Sequence, residues 1–106
     1  MNPRRADDIL NDCADIYEQR RAVYGENFRR VGEVMQSLFP EGVKLQTVED
    51  HNRFHILMLT VVKLTRYVQN WDKGGHQDSA EDAAVYWAML AQIDEEGRAA
   101  DAGEPF

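Results

Sequence analysis

At 106 residues and 12.2 kDa the chain has room for one domain, burying about 60–70% of the surface its unfolded form would expose. Its net charge of −7 and pI near 4.8 exclude duplex nucleic acid as a partner, because such binders need a basic footprint to displace counterions. The longest apolar run, Ile56 to Val62, falls far short of the ~20 residues that cross a bilayer, and no signal-peptide pattern is present, so a soluble, cytoplasmic chain is expected.

Asn2-Pro3 fits an N-cap followed by Pro at the first helical position. Ile9, Cys13, Ile16, Tyr17 and Val23 then recur at spacings of three, four and seven, which predicts an amphipathic helix ending near Tyr24-Gly25. Cys13, the single cysteine, has no internal disulfide partner and is expected in the core. A second helix starts near Asn27, with Phe28, Val31, Val34, Met35, Leu38 and Phe39 as its apolar stripe, and Phe39-Pro40-Glu41-Gly42 stops it. Val43 to Gln46 is read as a loop.

Thr47-Val48-Glu49-Asp50 has the spacing of a capping box and opens the longest predicted helix, about Val48 to Asn70. Its apolar residues, from Phe54 to Leu64, wrap most of the way round, as suits the central helix of a bundle. The β-branched content of Ile56 to Val62 allows a buried strand, but the length of the periodic segment and the missing turn signals favour helix. Trp71 to His76 is a Gly-bearing loop, and Asp78 or Ser79 is expected to cap a fourth helix ending near Gly97. The domain is thus set at 1–97, and the small, acidic tail 98–106 is expected to be disordered. The predicted fold class is all-α, a compact four-helix bundle-like domain with short connections.

Charge placement singles out the third connection. Lys63 and Arg66 lie three apart on one helix, and Asp78, Glu81 and Asp82 open the next. If these helices pack antiparallel, cations and acids meet around the loop, either as a structural ion-pair cluster or as a site where the cations contact phosphate. Asp15-x-x-Glu18 on the first helix has a spacing that can bridge a divalent cation together with acids from a neighbouring helix, although a solvated helix face explains it as well. His51 and His55, four apart, lack a third metal ligand in reach. Tyr24, Tyr67, Trp71, Tyr86 and Trp87 border the charged region as core residues or as stacking platforms for a base. No Walker loop, dinucleotide fingerprint, zincin motif or nucleophile elbow occurs.

Arg20, Tyr24-Gly25-Glu26-Asn27-Phe28, Asp50, Lys63 with Arg66, His76-Gln77-Asp78-Ser79, Asp82 and Tyr86 together resemble the pattern of a family of small proteins of tailed phages and prophages. The resemblance spans about residues 14 to 92. That family is similar, more distantly, to nucleotide-modification-associated and MazG-like all-α proteins. The MazG-like ones are Mg²⁺-dependent nucleoside triphosphate pyrophosphohydrolases working as dimers or tetramers. The resemblance implies a MazG-like fold, a homo-oligomer and a nucleotide or other phosphorylated small molecule as ligand, in the cytoplasm of an infected bacterial host.

The leading expectation is a nucleotide-binding protein that needs no cofactor and serves as a sponge for a host immune signalling nucleotide, an anti-defence role. Arg20, Lys63 and Arg66 then contact phosphate, Tyr24, Trp71 and Tyr86 contact base or ribose, Asp78 and Asp82 orient the cations, and Asn27 and His76 complete the ligand set. The alternative is a Mg²⁺-dependent pyrophosphohydrolase with Asp15, Glu18, Asp78 and Asp82 as metal ligands. MazG-type catalysis uses two Glu-x-x-Glu or Glu-x-x-Asp pairs, and Asp15-x-x-Glu18 lies outside the phage pattern. A third reading is a helical protein-interaction module whose charged cluster is structural.

Overall fold

The computed structural model describes residues 2–101 and 103. Among them the regular structure is entirely helical: α1 (Ala6–Tyr24), α2 (Asn27–Leu38), α3 (Val48–Gln69), a 3-10 turn at Trp71–Lys73, and α4 (Gln77–Asp101). The buried-strand alternative for Ile56 to Val62 is therefore not taken; the segment lies inside α3. No helix among the described residues is long and apolar enough to cross a membrane.

Local chemistry accounts for most boundaries. At the start of α3 the Thr47 hydroxyl accepts the Asp50 N–H at 3.0 Å, and the Asp50 carboxylate accepts the Gln46 and Thr47 N–H groups at 3.1 and 3.2 Å. These backbone donors hold the Asp50 pKa below its ordinary value. Between α1 and α2 the chain turns at Gly25, whose φ of 62° and ψ of −148° belong to a region open almost only to glycine. Three ends differ from expectation. Helix α1 begins at Ala6 rather than at Pro3, with the Asp8 carboxylate accepting the Arg5 N–H. Helix α4 begins at Gln77, so Ser79 and Asp78 lie within its first turn rather than before it, and it runs on to Asp101. The expected tail disorder at 102 and 104–106 lies outside the described residues.

Pairings along the helices give the topology. Lys63 reaches Asp82 at 2.9 Å near the connection, and Arg53 reaches Asp94 at 2.9 Å several turns away, so α3 and α4 run antiparallel. The start of α2 meets the end of α3, where the Asn27 amide donates to Thr65 at 2.7 Å, and its far end meets the middle of α3 through Phe39 and Phe54, with ring centroids 5.9 Å apart. Thus α2 is antiparallel to α3 as well, and α3 is central, as its wrap-around apolar pattern predicts.

The compact four-helix arrangement needs correction. Among the described residues only Ile56, Val61 and Leu90 form the buried apolar core, and no residue of α1 is buried. Helices α2, α3 and α4 pack as a three-helix body, while α1 touches it mainly through its C-terminal turn. Cys13 is accordingly exposed, not in the core, because none of the described residues covers the middle of α1. The radius of gyration is 18.3 Å, against about 13 Å for a compact chain of this length.

Candidate functional site

Three residues apart on α3, Lys63 and Arg66 leave for opposite sides. Lys63, with a side chain only 17% exposed, pairs with Asp82 of α4. Arg66 turns toward α1, where its guanidinium carbon sits 4.7 Å from the centre of the Tyr24 ring, a cation–π contact. The cations and acids of the α3–α4 connection therefore do not form one cluster. Lys63 and Asp82 close the helical hairpin, and Arg66 joins a different set of residues.

That set comes from the α1–α2 turn. The Gly25 turn brings the last residues of α1 onto the end of α3, and the His76 ring meets Tyr24 edge-on at 5.6 Å. His76 Nδ1 is in turn hydrogen-bonded at 2.6 Å to the hydroxyl of Ser79, a buried residue, which fixes the ring. Tyr24 is thus held between Arg66 and His76. With Arg66 on its ring it serves to position the guanidinium, and it offers less free surface to a base than expected.

Two adjacent cavities, about 370 and 310 Å³, share Arg20, Tyr24 and Arg66 in their walls. Such volumes suit small-molecule sites. Arg20, Arg21 and Arg66 line them, and no carboxylate does, in a chain where acids outnumber Lys and Arg by nineteen to twelve. Arg21 is paired with Glu18 at 3.2 Å. Among the described residues, neither Arg20 nor Arg66 has a carboxylate within ion-pair distance.

Asn27 lies in the same cleft and is only 6% exposed. The Thr65 hydroxyl gives its one proton to the Val62 carbonyl at 2.8 Å, so it can only accept from Asn27, at 2.7 Å. This orients the amide and leaves Asn27 Oδ1 buried with no hydrogen-bond partner. A buried acceptor left unpaired costs about 1–3 kcal/mol.

Of the expected ligand residues, the structure brings together Arg20, Tyr24, Asn27 and Arg66, while His76 touches Tyr24 but lines neither cavity. It does not bring Lys63 or Asp82, which pair with each other, nor Trp71, which is 68% exposed and packs edge-on against Tyr67. Tyr86, half-buried on α4, lines neither cavity, and Asp78 is exposed. Among the described residues no three His, Cys, Asp or Glu side chains gather as a metal-holding group, so Asp15 and Glu18 of α1 do not meet Asp78 and Asp82 of α4 within one chain. Sequence reasoning missed Arg21 as a cleft residue and Met58, Val62 and Val31 as its apolar floor. The helical stripes carried the apolar three, but only as core.

No protein-family model matches this chain, and no curated protein or solved structure matches it either. The resemblance to phage proteins rests on its motif residues alone.

Proposed function

We propose that this chain binds a nucleotide or other phosphorylated small molecule in the cleft between the end of α1 and α3. The observation that carries the reading is that Arg20 and Arg66 line the same acid-free cleft and, among the described residues, neither has a carboxylate partner. Arginine forks match phosphate oxygens bidentately, and Tyr24 holds one fork in place beforehand. Asn27 lines the same cleft, its amide fixed by the Thr65 hydroxyl. Arg20, Tyr24, Asn27 and His76 all fall within the phage-family pattern, which supports a MazG-like helical arrangement, a phage origin and a sponge for a host signalling nucleotide in the host cytoplasm. Binding needs no cofactor in this reading.

A panel of mono-, cyclic and adenosine-diphosphate-ribose-type nucleotides, with inorganic phosphate as control, tests it by thermal shift. A true ligand at one hundred times Kd adds about 2.7 kcal/mol of stability. Arg66→Ala, with its affinity ten- to a hundredfold lower, should cut that gain to about 0.4–1.4 kcal/mol at the same ligand concentration. No shift from any nucleotide, or an undiminished shift in Arg66→Ala, would defeat the reading. Recovery of the nucleotide intact after incubation with Mg²⁺ separates binding from the pyrophosphohydrolase alternative.

A further inference from the structure

A folded monomer of 12.2 kDa exposes about 6,100 Å², whereas this chain exposes 8384 Å². The excess, about 2,300 Å² per chain, stays well above the roughly 800 Å² that each partner buries in a stable interface, even with several hundred Å² set aside for chain ends. Among the described residues three buried apolar side chains are also a small core for a chain of this length. The surface in excess has an address. Ile9, Leu10, Cys13, Ile16 and Tyr17 share one arc of α1, about 120° wide at 100° per residue, and every one of them is exposed. Asp8, Asp12, Asp15 and Glu18 occupy the opposite arc.

A complementary surface lies on the other side of the body. Between α3 and α4 two adjoining grooves of about 630 and 450 Å³ share Phe39, Leu57 and Trp87. Leu64 and Trp87 stand half or more exposed at the rim, while Ser79, Ala80, Ala83 and Ala91 of α4 keep the floor low enough for a helix to approach. The cleft that holds Arg66 faces α1 of the same chain, so this groove is not the one α1 already touches.

We propose that the apolar arc of α1 seats in the α3–α4 groove of a second copy, and that the second copy returns its own α1, giving a two-fold dimer. Reciprocal exchange buries both unpartnered surfaces at once and closes the assembly. The excess area, counted for both chains, falls in the range of obligate dimers. Helix-in-groove docking uses the i, i+4, i+7 anchors that Ile9, Cys13 and Ile16 supply. The acidic arc stays in water. The inference stands on surface and packing, and of the arc residues Tyr17 also lines the cleft proposed for the ligand.

The test combines light scattering, helical circular dichroism and thiol labelling on the full chain. Wild type should be a dimer at micromolar concentration, and Cys13 should react with a thiol reagent at least tenfold more slowly than in Ile16→Glu. Ile16→Glu spoils the helix and Trp87→Glu spoils the groove; Leu64→Glu replaces the latter should it fail to fold. Each variant alone should be monomeric or lose helix. Mixed one to one, they should recover dimer, because the wild-type α1 of the groove variant still fits the wild-type groove of the helix variant. A monomeric wild type overturns the proposal. So does a dimeric wild type whose two variants fail to complement, since α1 would then be packing against something other than the groove.

Discussion

Lys63 and Arg66 illustrate how far spacing alone reaches. Residues three apart share a helix face in general terms, yet they are offset by 60°, enough for long side chains to part when different helices flank α3. Asp82 takes Lys63, and Tyr24 takes Arg66. Removing the Lys63 charge while keeping its stem, as Lys63→Met, should change stability by no more than about 1 kcal/mol, because Asp82 stays half in water. Ligand affinity should be unchanged within twofold. Arg66→Ala should leave the fold in place but weaken nucleotide binding by about ten- to a hundredfold, the worth of a charge-assisted hydrogen bond of ~1.5–3 kcal/mol. Calorimetric titration of both variants separates the two roles. The grouping of Arg20, Tyr24 and Asn27 with Arg66 was legible only through the family pattern, since nearly forty residues separate the two parts. The unpaired Asn27 oxygen was not legible at all, because it depends on which way Thr65 directs its proton.

Helix limits were easier to read, because they rest on neighbours in the chain. The Thr47 to Asp50 box is a local bargain between side chains and the first free N–H groups of α3, and it appears as its residue types predict. Thr47→Ala should therefore cost about 1 kcal/mol in a urea melt. The Asp50 carboxylate also sets a pH dependence. Its folded pKa lies below the unfolded one, so its contribution is complete above the unfolded value and is lost as pH falls through the folded value. Stability curves below pH 4 should thus be shallower in Asp50→Asn than in wild type. Gly75 was read only as part of a loop, but it carries more constraint. Its φ is +87°, and a Cβ there would lie 2.6 Å from Tyr67 Cε2. Gly75→Ala should destabilise by about 2 kcal/mol or more from backbone strain with the clash added, again measurable by urea melt. Ser79 was misread as a cap because its residue type suits one. The side chain instead bonds His76 and lies buried inside the first turn.

At the scale of the molecule the all-α class was legible from periodicity, and the compact bundle was not. An amphipathic stripe states that a helix buries one face; it does not state against which chain. Helix α1 has such a stripe, and the body formed by α2, α3 and α4 does not cover it. A chain that completes its core with a second copy cannot unfold without also dissociating, so its melting temperature must rise with concentration. Taking ~0.7 kcal/mol of unfolding enthalpy per residue over two copies, each tenfold increase in protein should raise the midpoint by about 3 °C. A self-sufficient monomer would show no shift. Ile16→Glu should abolish the concentration dependence, while Arg66→Ala, which alters only the ligand cleft, should keep it. A calorimetric dilution series on these three proteins therefore tells assembly and ligand binding apart without a ligand being known.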